Sequence, residues 1–296
     1  MYVAPRTRFD KVYKIDHGPG HLVLLCKDET GYQNLIQMVS AGYMEGFYNR
    51  PRIDHDLLRE HHEGLIALSA CLAGEIPRAL TAGDYEAAKQ TALFYKELMG
   101  AENYYIELQN HGIDRQQAIL PQLVRLAEEV GVGLVATNDV HYTEQQDATT
   151  QKVLLCIQTG KTMDEELALE FPTQEFYLKS EAEMRQLFGS FEGALANTVK
   201  IAEQCQFEFS FGQTKLPRFV TPNGEDNKSF FLSVCHKGLA QRYGSSPAPD
   251  ILHRFDYEIN VIESMGFIDY YLIVADFVQY AKRRGIPVGP GRGSGA

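Results

Sequence analysis

The sequence predicts an α/β fold followed by a helical module. Three observations carry this. Four short apolar runs recur between residues 21 and 142, each turning polar at its C-terminal end. Amphipathic stretches with recognisable caps separate the later runs. Beyond Lys215 a Pro/Gly/Asn-rich stretch opens onto helical patterns. Strands alternating with helices imply βαβ units and a parallel sheet or barrel. At 296 residues the chain has room for two domains.

The apolar runs are His21–Lys27, Gly64–Leu72, Tyr104–His111 and Val132–Tyr142. Each holds four to six apolar residues, the pattern of a buried parallel strand, although periodicity alone leaves a helix open. In "DYEAAKQTALFYKELMG" Asp84 is the expected N-cap and Gly100 the stop, with Ala88, Thr91, Tyr95 and Leu98 on one face. In "DRQQAILPQLVRLAEEVG" the face is Leu123, Leu126, Ala127 and Val130, and Gly131 is the stop. Pro121 is expected to kink that helix or mark a restart. "FYLKSEAEMRQLF" and "FEGALANTVKIAEQC" read as helices. "KLPRFVTPNGEDN" (Lys215–Asn227) reads as a linker, and "HRFDYEINVIESMG" and "YLIVADFVQYAKRRG" as helices after it.

Composition narrows the function classes. No run of about 18 apolar residues predicts a membrane-spanning helix, and the first residues, "MYVAPRTRFDK", lack the apolar region of a secretory signal. Five cysteines without a CxxC pair fit reduced thiols in a cytoplasm. A net charge of −11 argues against nonspecific nucleic-acid grip by the bulk of the chain. It leaves room for local basic patches such as Lys282, Arg283 and Arg284.

Two motifs carry chemistry. In "ATNDVHY", Asp139 and His141 stand at i and i+2, and on an extended strand end they would share a face. A carboxylate and an imidazole there suit a transition metal. The alternative is a helix-capping Asp and a His bonded to a backbone carbonyl. The other apolar runs bring His21 at the start of the first, Cys71 with Ser69 at the end of the second, and Glu107 with His111 on the third. In a β/α barrel, strand ends converge on one face, where sites are built. Cys71 also reads as a small buried hydrophobe. His61 and His62 are adjacent and do not share a face, so they read as solvated, as do His17, His55, His236 and His253. The second motif is "VGPGRGSGA" at Val288–Ala296. Glycines let backbone N–H groups turn toward an anion, Arg292 can clamp phosphate oxygens with paired hydrogen bonds, and Ser294 adds a hydroxyl. Gly291, Arg292, Gly293 and Ser294 are therefore candidate phosphate ligands. The pattern is neither a P-loop nor a dinucleotide fingerprint, and a flexible linker is the alternative.

The stretch "YEINVIESMGFIDYYLIVADFVQYAKRRGIPVGPGRGSGA" resembles the junction into the palm domain of bacterial DNA polymerase III alpha subunits. "YNRPRIDHDLL", "GLIALSACLAGEIP", "ATNDVHY", "FYLKSEAEM" and "NTVKIAEQC" are similar to the same family, in order. The resemblance implies a PHP (polymerase and histidinol phosphatase) domain over 1–213, a distorted β/α barrel lacking its first strands, and the helical start of a polymerase palm over 214–296. It implies that His21, Cys71, Asp139 and His141 match metal-ligand positions, for zinc or manganese, in a domain associated in many members with 3′–5′ exonuclease activity. Glu107 and His111 stay as accessory candidates. It further implies that the glycine loop meets the triphosphate of the incoming nucleotide, with magnesium on palm carboxylates, and that the intact cytoplasmic subunit works with primer–template DNA, deoxynucleoside triphosphates, a sliding clamp, a proofreading subunit and a clamp loader.

The sequence departs from the family pattern in three ways. The family's His-x-His motif, Asp-His pair and Glu are expected upstream of "YVAPR", and the palm's catalytic carboxylates downstream of "GRGSGA", so the chain is expected to be a fragment without polymerase activity of its own. Ala275 in "LIVADF" stands where the family often has a larger residue. Two other functions compete: a free-standing PHP metal phosphoesterase, against which the glycine loop and its preceding helices speak, and a non-catalytic scaffold for replication partners.

Overall fold

The structure, a computed structural model, describes residues 1–165, 171–212, 216–289 and 291. These divide into two compact units, Met1–Phe209 and Ser210–Ala296. The boundary expected at 213/214 lies outside the described residues. No described helix is long and apolar enough to cross a membrane.

The first unit is α/β. Its strands are β1 (Tyr2–Val3), β2 (Gly20–His21), β3 (Val23–Cys26), β4 (Arg52–Ile53), β5 (Leu65–Leu68), β6 (Tyr104–Leu108) and β7 (Gly133–Ala136). They form two sheets, ordered β2-β1-β4 and β3-β5-β6-β7. The helices are α1 (Tyr13–Asp16), α2 (Glu29–Met44), α3 (His55–Glu60), α4 (Glu75–Thr81), α5 (Tyr85–Met99), α6 (Asp114–Val130), α7 (Ala148–Thr159), α8 (Glu181–Phe188) and α9 (Ala196–Gln204). The four apolar runs are strands as expected, and β5, β6 and β7 run parallel. The first run departs from expectation: β3 pairs antiparallel with β5, Val23 opposite Leu68. This reversal matters for the site, because it sets the start of that run beside the C-terminal end of β5.

Local chemistry explains the helix ends. The Asp84 side chain accepts the Ala87 N–H, and Gly100 ends α5 at φ 83°, where a Cβ would be strained. The buried face of α5 is Ala88, Ala92, Tyr95 and Met99, rotated slightly from the expected face. Thr91 instead turns its hydroxyl to the Ala87 carbonyl, 3.0 Å away. In α6 the expected Leu123, Leu126, Ala127 and Val130 are buried, and Gly131 is left-handed. Pro121 does not interrupt α6. It and Gln117, whose carbonyl loses its partner, both lie on the exposed side, where water can replace the lost donor. "FYLKSEAEMRQLF" is helical from Glu181 onward; Tyr177 bridges to Tyr142 instead. The main core lies between the larger sheet and helices α2 to α6, with Tyr104, Ile106, Leu108, Leu126 and Tyr95 at its centre.

The second unit is helical: α10 (Asn227–Tyr243), α11 (Pro249–Ser264) and α12 (Ile268–Arg283). The stretch read as a linker is tied to this unit. Asp269 accepts the Phe219 N–H at 3.0 Å, and the Asn227 amide donates to the Phe219 carbonyl at 2.8 Å. Asp226 caps α10 through the Ser229 N–H.

Candidate functional site at the strand ends

The ends of β5, β6 and β7 lie side by side, Glu107 opposite Val135 and Leu68 opposite Tyr105. Alternation along β6 sends Tyr104, Ile106 and Leu108 into the main core and Glu107 to the other face. Beyond β5 the chain passes through Ala70, at φ 62°, and delivers Cys71. The loop after Cys71 bridges to β2, where the His21 N–H donates to the Ala73 carbonyl at 2.9 Å. Cys71 Sγ thereby comes to 3.5 Å from His21 Nδ1. Beyond β7, Asp139 adopts φ 41°. A cavity of about 500 Å³ is lined by His21, Cys71, Glu107, Gln109, Thr137 and Asp139, among others.

Three of the four expected ligands, His21, Cys71 and Asp139, thus share one cavity. His141 does not line it. The strand ends at Ala136 and Asp139 is left-handed, so the alternation expected of an extended segment does not apply there. His141 is exposed, its Nδ1 donating to the Asp139 carbonyl at 2.7 Å and its ring 4.5 Å from that of Phe171. Nitrogen, sulfur and carboxylate donors are types that suit a transition metal. Among the described residues, however, no three His, Cys, Asp or Glu side chains converge closely enough to hold a metal ion. The set as placed does not close a metal site by itself.

His111 is wholly buried and stacks on Phe176 at 4.1 Å. Its Nε2 donates to the Asn138 carbonyl at 2.8 Å, and its Nδ1 accepts from the Gln116 amide at 2.9 Å. Both nitrogens are committed, and burial lowers the imidazole's affinity for a proton. His55, read as solvated, is half-buried against Phe94 with its Nε2 3.1 Å from Glu75. The apolar pocket that packs it is not visible in the local sequence.

Burial pushes both members of the cavity pair toward their uncharged forms. Burial, and then the nearby Arg78 charge, lower His21, with Asp139 pulling the other way. Burial raises the Cys71 thiol; the Ala73 N–H opposes this and Asp139 adds to it. Both shifts favour the uncharged forms of the imidazole and the thiol. Glu107 is raised mainly by burial, against hydrogen bonds from Thr137, Gln109 and the Ala70 N–H. Gln109, Thr137 and the strained Ala70 escaped sequence reading. For Gln109 the signal is a polar residue at alternate positions of an otherwise apolar run, "YIELQN"; Ala70 and Thr137 carry none. Of the phosphate-loop candidates, Gly291 stands at φ 144°, a conformation open to glycine; Arg292, Gly293 and Ser294 lie outside the described residues.

Comparison with known proteins bears on both ends of the chain. Residues 1–111 match the PHP domain family, and residues 229–296 match the bacterial DNA polymerase III alpha NTPase domain family. The chain is 45% identical over its full length to the DNA polymerase III subunit alpha of Treponema pallidum, covering 25% of that protein. It is 43% identical over its full length to that of Borreliella burgdorferi, covering 26%, and 36% identical to that of Thermus aquaticus, covering 29%. The chain therefore spans about a quarter of the length of the curated relatives it matches. Along its whole length it is similar to alpha subunits of bacterial DNA polymerase III, its front matching the PHP domain family and its end the polymerase III alpha NTPase domain family.

Proposed function

We propose that this chain is part of the catalytic alpha subunit of a bacterial replicative DNA polymerase III, which in intact form carries out template-directed synthesis by nucleotidyl transfer. The observation that carries the reading is similarity over the full chain to proteins of that name. The match over 229–296 speaks against a free-standing phosphoesterase, which has no use for a polymerase segment. In this reading residues 1–213 are PHP domain and 214–296 begin the palm. The division of the described residues at Phe209 and Ser210 supports a boundary in that neighbourhood. The subunit acts in the cytoplasm on primer–template DNA and deoxynucleoside triphosphates, using magnesium, alongside a sliding clamp, proofreading subunit and clamp loader.

His21, Cys71, Asp139 and His141 are proposed as part of a metal-binding set in the PHP domain, for zinc or manganese. This requires donors beyond those that line the cavity here. Elemental analysis of the full-length subunit tests it: Asp139→Ala should lower bound metal, and a subunit free of metal before and after the change makes the region a scaffold. The loop is tested separately. Loss of the Arg292 charge-assisted bonds to a phosphate should cost about ten- to a hundred-fold in kcat/KM for nucleotide, with duplex affinity little changed. If Arg292→Ala instead abolishes primer–template binding and spares nucleotide kinetics, the loop grips the DNA backbone.

A further inference from the structure

We propose that Glu107 is a positioning residue, whose carboxylate holds the turn that sets Cys71 against His21. This rests on the reading of the strand-end cavity as the PHP site. Glu107 is 4% exposed and makes four hydrogen bonds, three of which tie its strand to the chain leaving its two parallel neighbours. Its Oε2 accepts the Ala70 N–H at 3.1 Å, and its own N–H donates to Ser69 Oγ at 2.8 Å, both on the chain leaving β5. Its Oε1 accepts from the Gln109 amide at 2.8 Å and from the Thr137 hydroxyl beyond β7.

The residue it grips is the unusual one. Ala70 adopts φ 62°, where a Cβ crowds the backbone and glycine is the usual occupant. A left-handed residue reverses the direction of the chain, and that reversal turns Cys71 off the line of β5 and into the cavity beside His21. With nothing to accept its N–H in a 4% exposed site, Ala70 has no reason to stay there. Glu107 supplies the acceptor while itself lining the same cavity.

The role lies in hydrogen-bond geometry rather than charge, and this sets the test. Glutamine at 107 can keep its carbonyl on the Ala70 N–H. Its amide can then donate to Gln109 Oε1, which is buried without a partner, once the Gln109 amide turns over. Alanine keeps only the backbone N–H bond to Ser69 Oγ. In the 296-residue chain, residue-resolved hydrogen exchange and mass-spectrometric alkylation of Cys71 by iodoacetamide are compared in wild type, Glu107→Gln and Glu107→Ala. Glu107→Ala should speed Ala70 amide exchange and Cys71 alkylation about tenfold or more. The Ser69 N–H, bonded to the Tyr105 carbonyl at 3.1 Å, should stay protected. Glu107→Gln should stay near wild type on both readouts. Equal effects of Gln and Ala would make this a charge effect, and joint loss of Ser69 and Ala70 protection would make Glu107 an ordinary core residue; either overturns the proposal. So does unchanged Ala70 exchange in Glu107→Ala. If that variant does not fold, an unprotected Ala70 amide in folded Glu107→Gln overturns it too. Both readouts are taken on chain stripped of metal with a chelator and neither uses nuclease activity, so the outcome is separate from that of the metal reading.

Discussion

Replacing Arg52 by methionine should loosen the segment that leads into His21. Arg52 is wholly buried, and its guanidinium donates to four backbone carbonyls: Gly46 at 3.0 Å, Asp16 at 3.2 Å, Arg8 at 3.1 Å and Asp10 at 2.9 Å. Three of these lie in the long connection between β1 and β2. That connection has little apolar anchoring of its own: Phe9, Val12, Tyr13 and Ile15 are all half or more exposed. Two ion pairs assist, Arg6 with the buried Asp16 at 2.6 Å and Arg8 with Asp54 at 3.1 Å. Methionine has the length to fill the space but donates nothing. Four lost bonds at about 1 kcal/mol each, offset in part by no longer burying a cation, leave a net cost of about 2–3 kcal/mol. For a unit of this size each kcal/mol moves the midpoint by about 2–4 °C, so thermal unfolding followed by circular dichroism should shift by about 5–10 °C. Amides from Arg8 to Asp16 should lose exchange protection before those of β5 to β7. A midpoint within about 2 °C of wild type would refute the reasoning, because four orphaned carbonyls cannot be neutral unless water reaches them all.

Two further outcomes follow from local geometry. Gly31→Ala places a Cβ 2.0 Å from the Gly64 carbonyl oxygen, so α2 must move off the turn before β5; a loss of about 3 kcal/mol or more in urea unfolding is expected, and a near-neutral result would mean the helix slides freely. Glu183 closes the capping box of α8, and its bonds to the Ser180 hydroxyl first, then to Tyr177, hold its carboxyl down at about 2, against 4.5 for the free group. A depressed carboxyl stabilises above the unfolded value and loses that contribution as pH falls from 4.5 through about 2. Tyr177, pushed up to about 12 by the same contact, loses its share as pH rises from 10 through that value. The cap is therefore complete between pH 4.5 and 10. Carbon-detected titration of Glu183 with a midpoint near 4.5 would contradict this.

The sequence by itself determined where elements start, stop and bury a face. Asp84, Gly100 and Gly131 act within a turn of their own position, and the Leu123–Val130 face follows from 3.6-residue periodicity. Such signals are local, so they can be read without knowing the fold. The convergence of Cys71 and Asp139 at strand ends was legible for the same reason, since parallel strands place their ends on one side. What only the tertiary structure decided depends on partners far along the chain. The antiparallel direction of β3 brings His21 to Cys71, fifty residues away. No run of apolar residues encodes which way it will lie against its neighbour. The left-handed backbone at Ala70 and Asp139 breaks the alternation that local reasoning assumes. It turns Cys71 and Asp139 into the cavity, whereas His141 stays exposed against Phe171. His111 and Glu107 look alike in the sequence as polar residues near the end of one strand. Burial gave them different work: the imidazole has both nitrogens bonded to its own fold, and the carboxylate faces the cavity. Pairing, handedness and burial are set by what the rest of the chain packs against each segment, and that is the part of the site the sequence could not carry alone.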